Sequence, residues 1–474
     1  MVTVAPFRLA PVDEIVVSAS PGEIRAGILR LGEVWGLDWH WPDAPNPVGA
    51  IYALRISRLA PEARGAFCIV DEQGQEGFLD LGKRKTPQHE GQRVLAQVTR
   101  APEAGKRLTL SPTIRLAGRY LVYTPLHAGI SASRQIGDKA AAQRLQGLVK
   151  TAITPEEGVI VRAAAANPTV PPEAILAELD RHRATWAAAR AEQSLGCVAP
   201  APSLIEASLI ERASAGRLTV TVDTPSLLAT AQAAASAWTA CEPITVRLDR
   251  AAPFASSGAE EAFALAASSE VPLVTGGTLW LETTRGGWMA DVDSGTARGQ
   301  AETVRLETNR VAAVELARQI RLRQAAGLFI ADFLRLPDAK ATAGIVQSLC
   351  NGFAEDPAPL HFNPQFDPLG FYAFTRGRIA PPFASRLADG GHAQAALSGL
   401  RTLVRSTLAD PAVHHALYVS PATLQSAATL PIALQQAADQ LGQKPVLLPD
   451  ASLGRGGYAV RPFRPAPTGQ EQRP

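Results

Sequence analysis

The sequence predicts a multidomain α/β protein. Its 474 residues are 46% hydrophobic and 19% charged, which is enough apolar content to bury more than one core. Short β-patterned segments follow one another closely between residues 48 and 112, and apolar strand-like runs alternate with helical patterns between residues 205 and 385. The first pattern is typical of a small barrel, and the second is typical of a sheet covered by helices.

The N-terminal part of the chain divides at its breaker clusters. Residues 12 to 35 contain two strand-like segments around SPGE, and a Trp-rich connection then ends in PDAPNP at residues 42 to 47. The segments AIYALRISRL, GAFCIV, EGFLDL and RVLAQVTR, separated by polar or Gly-containing turns, predict a five-stranded barrel. Residues 114 to 204 mix strands with the helical pattern PEAILAELDRHRATWAAARAEQ and predict an accessory α+β unit.

The C-terminal half predicts two α/β units. In the first, the strand patterns TVTVD, PITVRLD, TLWLET, WMADVD and GLFIADF alternate with helices, one of them from Asn309 to Gln324. In the second, a basic helix near residues 391 to 409 precedes HHALYVS, another helix and KPVLLPD. The Pro-rich end, RPFRPAPTGQEQRP, is expected to be disordered.

Charge and cysteine content exclude several classes of protein. Lys and Arg total 46 against 44 Asp and Glu, so a nucleic-acid site would have to be local. Two basic clusters, LRTLVR with Arg401 and Arg405 and RQIRLR from Arg318 to Arg323, are interpreted as solvated helix faces. The four scattered cysteines form no C-x-x-C pair, so neither a disulfide framework nor a zinc knuckle is predicted.

The sequence also predicts where the protein resides. The first residues, MVTVAPFRLAPVDE, lack a basic leader, and no apolar run reaches the about 18 residues that a membrane span requires. We therefore expect a soluble, cytoplasmic protein without a membrane anchor.

Acidic residues near the ends of two apolar strands carry the strongest chemical signal. WMADVDSG places Asp291 and Asp293 two residues apart, so both side chains point to one face, and GLFIADFL places Asp332 near the end of a buried run. Mg²⁺ often binds only one or two carboxylates, with water and substrate phosphate as the remaining ligands. Asp291 and Asp332 would then hold a cation that polarises a phosphoryl oxygen and supplies hydroxide for attack on a phosphodiester. The alternative is that these aspartates only close turns or cap elements.

The same residues carry a family resemblance. GGTLWLETTRGGWMADVDSG followed by TNRVAAVELARQIRLRQAAGLFIADFLRL resembles the catalytic core of the ribonuclease E/G family of bacterial endoribonucleases. PGEIRAGIL, VGAIYALRISRLAPEARGAFCIV, EGFLDL, LAGRYLVYTP and EGVIVRAA extend the resemblance over roughly residues 12 to 385. No long basic or low-complexity arm follows, so we expect a compact, divergent member.

The resemblance implies a domain organisation. A ribonuclease-H-like region is interrupted by an OB-fold RNA-binding barrel and a 5′-sensor, and a DNase-I-like catalytic α/β subdomain and a small C-terminal α/β domain follow. The expected ranges are 1–46 and 205–266 for the two ribonuclease-H-like parts, 47–113 for the barrel, 114–204 for the sensor, 267–385 for the catalytic subdomain, 386–460 for the small domain and 461–474 for a disordered tail.

The resemblance also implies functional residues. Asp291 and Asp332 match the Mg²⁺ ligands, and Asp293 stands where the family has a catalytic asparagine. Single-stranded RNA would stack on Phe67 and Phe78, which the barrel core would otherwise bury, with the basic Lys106 beside them. A 5′-monophosphate pocket would be formed by Gly118, Val122 and Arg162.

Several positions depart from the family pattern. The family's T-E-A is Thr284, Arg285 and Gly286, the threonine after Arg162 is Ala163, and the arginine expected shortly after Asp356 is absent. The last two changes predict a weak dependence on the 5′ end of RNA, since one phosphate hydrogen bond and one charge-assisted contact are lost. The stretch IAPPFASRLADGG lacks the C-P-x-C that shares zinc between protomers, so we expect no zinc, while a homodimer through the small domain remains possible.

Three functions are consistent with the sequence. The first is a Mg²⁺-dependent endoribonuclease that cleaves single-stranded RNA, in ribosomal RNA processing or messenger RNA decay. The second is a non-catalytic RNA-binding protein derived from the same family. The third is a metal phosphoesterase acting on another substrate, which would leave Phe67, Phe78 and Lys106 without a role.

Overall fold

The computed structural model describes most of the chain. The described residues are 12–43, 46–82, 88–100, 107–212, 217–238, 243–296, 301–336, 339–354, 356, 358–384, 391–454 and 456–463. Within these ranges, no helix is both long enough and apolar enough to cross a membrane.

The N-terminal segment forms three antiparallel strands. They are β1 (Glu14–Ser20), β2 (Glu23–Arg30) and β3 (Glu33–His40). The interpretation of the Trp-rich segment after residue 35 as a connection was wrong, because β3 continues to His40. Val34 and Leu37 are buried, whereas Trp35, Trp39 and His40 are only half-buried. The sequence of this strand therefore shows no simple apolar alternation.

A closed five-stranded barrel follows, as predicted. Its strands are β4 (Ile51–Ala60), β5 (Gly65–Ile69), β6 (Glu76–Asp80), β7 (Arg93–Arg100) and β8 (Leu108–Ser111). The order β4-β5-β6-β8-β7 closes because β7 pairs with β4. Alternate residues such as Leu54, Ile56 and Leu79 point inward and fill the interior.

The next unit packs two helices on a small sheet. Its elements are β9 (Leu116–Ala117), β10 (Leu121–Thr124), β11 (Gly129–Ala132), α1 (Lys139–Lys150), β12 (Gly158–Val161), α2 (Pro172–Ala191) and β13 (Gly196–Ala199). The first four strands form a sheet in the order β11-β12-β10-β9. Strand β13 leaves this unit and pairs with β4 at the rim of the barrel, so the two units are joined through the backbone.

The chain then returns to the first sheet. The elements are α3 (Leu204–Arg212), β14 (Leu218–Val222), α4 (Pro225–Ala235), β15 (Ile244–Leu248), α5 (Pro253–Ser256) and α6 (Ala259–Ala267). Strand β14 pairs in parallel with β1, giving the order β15-β14-β1-β2-β3. Two segments about two hundred residues apart therefore share one sheet.

A second large sheet carries the acidic strands. Its elements are β16 (Glu270–Pro272), β17 (Thr278–Thr283), β18 (Trp288–Asp293), α7 (Ala301–Leu322), β19 (Gly327–Asp332), α8 (Ala339–Gly352), β20 (Leu360–Phe362) and β21 (Phe371–Arg376). The strand order is β16-β17-β18-β19-β21-β20. Helices α7 and α8 cover one face, where Leu281, Val292 and Phe329 are buried. We call the other side the open face; it carries Trp280, Met289, Asp291, Leu328 and Asp332.

A small α/β unit ends the described chain. It contains α9 (His392–Ala409), β22 (His415–Val419), α10 (Pro421–Ala427), α11 (Pro431–Leu441), β23 (Leu447–Pro449) and β24 (Tyr458–Pro462). The predicted disordered tail began too early, because Arg461 and Pro462 pair with β22. Residues 464–474 lie outside the described part.

The small unit packs tightly on the turn between β1 and β2. Gly22 has a φ of 70°, and a Cβ at this position would overlap the Cβ of Ala433, so the turn requires glycine. The Gly22 amide donates to Gln436 Oε1 at 2.8 Å. Asp43 in turn accepts from the amides of Ile432 and Ala433 at the start of α11.

The interpretation of the two basic clusters as solvated helix faces was wrong for most of their arginines. Arg321 donates to the carbonyls of Trp35 and Gly352, both at 2.8 Å, and the 3% exposed Arg323 donates to those of Leu281 and Leu265. Burial lowers the pKa of each of these two guanidinium groups to about 10. The end of α7 therefore joins the two large sheets, because arginines can satisfy carbonyls that strand and helix ends leave unpaired.

Candidate functional site

The two aspartates predicted as metal ligands are direct neighbours. Strands β18 and β19 are parallel, and Asp291 is the register partner of Asp332. Adjacent strands lie about 4.7–4.9 Å apart, and register partners project to the same side of a sheet. Asp291 is exposed and Asp332 is half-buried, so the pair lies on the open face near the ends of both strands.

The electrostatics of this pair suit a cation. Burial, and then the negative charge of Asp291, raise the pKa of Asp332, while Arg335 opposes the shift. Two carboxylates that repel each other are stabilised by a positive charge between them. Their oxygen atoms are the ligand type that Mg²⁺ prefers, and two protein ligands are a common number for this ion. The residues present therefore fit a hard divalent cation.

Asp293 lies on the same face but is engaged in a turn. It is exposed, two residues beyond Asp291, and its Oδ1 accepts from the Gly295 amide at 2.8 Å. Across the described ranges, no group of three or more His, Cys, Asp or Glu side chains is arranged to hold a metal ion. A ligand or catalytic role for Asp293 thus stays a prediction, and the turn geometry is what the alternative interpretation expected.

A buried asparagine fixes the chain directly after Asp332. Asn309 in α7 is fully buried, donates to the Leu334 carbonyl at 2.7 Å and accepts from the Leu334 amide at 2.9 Å. This reciprocal pair holds the exit of β19 against α7. Asn309 was identified only as a helix residue within the family motif, although a polar residue on an apolar helix face was a usable signal.

The altered family positions near this site lie apart from the aspartates. Thr284, Arg285 and Gly286 form the exposed turn between β17 and β18, closed by hydrogen bonds from Thr284 to the Gly287 carbonyl. Arg285 is therefore at the far end of the β17–β18 hairpin from Asp293.

The two predicted RNA-stacking rings are neighbours on the barrel. Phe67 on β5 and Phe78 on β6 are register partners, are half-buried, and have ring centroids 5.7 Å apart. A Cβ at Gly65 would overlap the ring of Phe78, so glycine is needed there to leave room for this ring. Neither ring is fully enclosed in the core.

Two arginines that were not predicted lie beside the ring of Phe67. The guanidinium carbon of Arg58 lies 4.6 Å from the Phe67 centroid, and that of Arg107 lies 5.3 Å away. Both distances are within the range of cation–π attraction. Lys106, the predicted basic neighbour, lies outside the described residues. Arg58 is the register partner of Phe67, a contact that only strand pairing reveals.

The predicted sensor residues come together around the ends of β10 and β12. Arg162 donates to the Gly118 carbonyl at 2.9 Å, and Val122 on β10 is the register partner of Ile160 on β12. Both terminal nitrogens of Arg162 also bind Glu211 of α3, each at 3.0 Å. Glu211 was not predicted, since it lies 49 residues from Arg162 and no motif in the sequence connects the two.

A buried glutamate organises the backbone beside Gly118. Glu178 of α2 is 2% exposed and accepts hydrogen bonds from three consecutive amides, those of Arg119, Tyr120 and Leu121. Burial raises the pKa of Glu178, and these amide hydrogen bonds oppose the shift. Gly118 must be glycine here, because a Cβ would overlap the Glu178 carboxylate.

The region where a further sensor arginine was expected is filled by an ion pair. Asp356 and Arg376 bind through several contacts, the closest at 3.0 Å, and their side chains are 0% and 2% exposed. Arg376 also donates to the Ala325 carbonyl. This pair stabilises the connection between α8 and β21 rather than presenting a free charge.

Comparison with known proteins assigns the family. The sequence model of the Ribonuclease E/G family matches residues 115–379. The chain is 28% identical over 358 residues to ribonuclease E of Synechocystis sp., covering 70% of this chain and 52% of that protein. It is 26% identical over 390 residues to ribonuclease E of Escherichia coli, covering 76% and 36%. It is 24% identical over 464 residues to ribonuclease G of Salmonella typhimurium, covering 87% and 92%.

These matches differ in how much of each relative they cover. The chain spans about half of the Synechocystis protein, about a third of the Escherichia coli protein and most of the Salmonella typhimurium protein. The family match extends over more than half of the chain and includes both Asp291 and Asp332. This protein therefore belongs to the ribonuclease E/G family.

Proposed function

We propose that this protein is a Mg²⁺-dependent endoribonuclease that cleaves single-stranded RNA. The observation that carries the proposal is the register pairing of Asp291 with Asp332 on the open face. Family membership supports RNA as the substrate, since the relatives are named ribonucleases. The half-buried rings of Phe67 and Phe78, with Arg58 and Arg107 beside them, support binding of unpaired bases next to a negatively charged backbone.

Each group of residues has its own task in the proposed cleavage reaction. Asp291 and Asp332 would hold Mg²⁺, which when bound polarises a phosphoryl oxygen and activates water for attack on the phosphodiester. Asn309 keeps Asp332 in place by fixing the residues that follow it. The barrel rings retain the strand by stacking, which is tolerant of base identity because every base has a π face.

The same proposal includes weak sensing of the RNA 5′ end. Both terminal nitrogens of Arg162 already donate to Glu211, and one of them also donates to the Gly118 carbonyl. A 5′-monophosphate would have to displace this ion pair, and residue 163 is an alanine without a hydroxyl donor. Both features reduce the gain from binding a 5′-phosphate.

A cleavage assay tests the proposal. A labelled AU-rich single-stranded RNA is incubated with Mg²⁺ and with the wild type, Asp291→Asn or Asp332→Asn. Each substitution removes one negative charge but keeps the shape of the side chain. The control is Asp410→Asn, an exposed aspartate at the end of α9. We expect the wild type and the control to cleave, and each site variant to lose at least a hundredfold in rate, on the order of the loss of one major electrostatic contact.

Three other outcomes would each contradict the proposal. RNA binding without cleavage by the wild type would assign the chain to the non-catalytic RNA-binding alternative. Cleavage by both site variants at the wild-type rate would show that Asp291 and Asp332 are not the metal ligands. Hydrolysis of a small phosphodiester without any action on RNA would favour the phosphoesterase alternative.

A further inference from the structure

One transverse row of the open face has aromatic rings at both ends and carboxylates in the middle. Trp280 on β17 is the register partner of Asp291, Asp291 is the partner of Asp332, and Asp332 is the partner of Phe371 on β21. Neighbouring strands are about 4.7–4.9 Å apart, so each ring adjoins one carboxylate and the two rings stand about 14 Å apart at their Cα atoms.

Both rings lie on the exposed side of the sheet. Trp280 is 38% exposed, and Phe371 is half-buried, whereas its neighbour Tyr372 is fully buried in the core. Met289, in the next row, is 39% exposed. A large aromatic side chain exposed beside an acidic pair contributes little to packing, and such apolar surface within a polar site often marks where a ligand binds.

The order of chemical groups along the row matches that of single-stranded RNA around one phosphodiester. A phosphate reaches the two carboxylates through the cation they hold, and one base then lies on each side of that phosphate. Each base meets an aromatic side chain, and stacking on a ring needs no particular base. A duplex keeps its bases stacked on one another, so this row fits an unpaired strand.

We propose that Trp280 and Phe371 are stacking subsites for the two nucleotides that flank the phosphodiester at Asp291 and Asp332. This inference rests on the proposed function and names the positioning residues of the same site. The rings orient the strand so that one phosphodiester lies over the carboxylates, and they do so separately from the barrel rings Phe67 and Phe78. Loss of either ring therefore weakens binding of the strand at the sheet and shifts the position of cleavage.

A binding experiment with matched variants tests the Trp280 subsite. Trp280→Leu keeps an apolar side chain without a π face, Trp280→Phe keeps a ring, and Leu328→Ala is the control because Leu328 is 39% exposed on the same face, four residues before Asp332. Affinity for a short single-stranded RNA is measured in Ca²⁺. We expect about 5- to 150-fold weaker binding for Trp280→Leu, recovery of most of that loss in Trp280→Phe, and less than twofold change in the control.

An abasic substrate separates stacking from general loss of affinity. The nucleotide on each side of the mapped cleavage position is replaced in turn by an abasic one. For the wild type, one of these abasic RNAs should bind more weakly than the intact RNA by the same factor as the Trp280→Leu substitution causes. The Trp280→Leu variant should bind this abasic RNA and the intact RNA equally well. The other abasic RNA should show the same pattern with Phe371→Leu: weaker binding to the wild type, and no further loss of binding in the variant. Independent, additive losses in all combinations would overturn the proposal.

Photocrosslinking gives a readout that does not depend on catalysis. Single-stranded RNA in which 5-bromouridine replaces every uridine should crosslink to the peptides that contain Trp280 and Phe371. If wild-type protein crosslinks there but does not cleave, the proposed nuclease function fails while the stacking contacts stand. If it cleaves but neither peptide crosslinks, the stacking subsites fail alone. If Trp280→Leu instead lowers the sedimenting mass of the free protein, the face is an interface between copies and the proposal is wrong.

Discussion

At the scale of single residues, the acidic pair is a destabilising feature of the fold without a cation. The pKa of Asp332 is raised first by burial and then by the charge of Asp291. When the pKa of a carboxyl group is higher in the folded than in the unfolded protein, the folded state loses stability as pH rises from the unfolded pKa through the folded pKa. At neutral pH the ionised Asp332 therefore opposes folding. Residues of functional sites often lower the stability of a fold in this way.

Replacing Asp332 should stabilise the metal-free protein. We expect Asp332→Asn to raise the free energy of unfolding at pH 7 by up to about 1 kcal/mol, since solvent screens a pair this accessible. The difference from the wild type should vanish as pH falls below the unfolded pKa of an aspartate. Thermal and urea unfolding with and without Mg²⁺ measure this.

Mg²⁺ supplies the control for that measurement. An ion that binds only the folded state raises its stability, so Mg²⁺ should stabilise the wild type more than Asp332→Asn. An Asn variant that is less stable than the wild type, or that responds equally to Mg²⁺, would contradict the paired-carboxylate site.

At the scale of elements, the predicted 5′-monophosphate pocket shows how much of a binding site a sequence motif leaves out. Gly118, Val122 and Arg162 were identifiable because they lie within short matching stretches around β10 and β12. Glu211, on α3 in a different part of the sequence, was not identifiable, although it binds Arg162 twice. The charge state of a pocket depends on every element that packs against it, and a motif contains only some of those elements.

The dependence of cleavage on the RNA 5′ end follows from that ion pair. We expect the wild type to cleave 5′-monophosphate and 5′-hydroxyl RNAs at similar rates. Glu211→Ala releases Arg162 from its ion pair and should create a preference for the 5′-monophosphate of about tenfold or more, since one charge-assisted hydrogen bond contributes about 1.5–3 kcal/mol. Rates on both substrates, with Glu206→Ala on the same helix as control, measure the effect. A strong 5′-monophosphate preference in the wild type would refute weak sensing.

At the scale of the whole molecule, an ionic cluster joins the small C-terminal unit to the first sheet. Arg401 on α9 binds the fully buried Glu23 on β2 and lies 3.2 Å from Glu260 on α6. Arg25 completes the cluster by pairing with Glu260 at 2.9 Å. Burial, and then the charge of Arg25, lower the pKa of Arg401 to about 9, which leaves it protonated at neutral pH.

Removing the buried cation should loosen this junction. Arg401→Met leaves Glu23 with less compensation in a site without solvent, so we expect a loss of about 3–5 kcal/mol of unfolding free energy. Arg405→Met is the matched control: Arg405 is 50% exposed and lies 3.7 Å from Glu260, so its loss should cost less than about 1 kcal/mol. Urea unfolding followed by a probe in each unit measures both, and similar small effects for both variants would rule out a structural role for the cluster.

The sequence by itself determined many of the elements of this protein and the two residues of its acidic pair. Apolar periodicity specified four barrel strands, the two acidic strands and the helices α2, α4, α7 and α9, whereas α1, α3, α6 and α8 were not predicted. Aspartates near the ends of buried strands, together with the family motifs, pointed to Asp291 and Asp332. These are local signals, because periodicity and strand-end chemistry are properties of a few consecutive residues.

Only the tertiary structure decided which distant residues became neighbours. The register of β17, β18, β19 and β21 put Trp280 and Phe371 at the two ends of the acidic row, and helix packing put Glu211 on Arg162 and Arg401 on Glu23. Such contacts depend on strand register and on packing between segments far apart in the chain. A shift of one residue in register would turn the same side chains to the opposite face, and no short stretch of sequence specifies that choice.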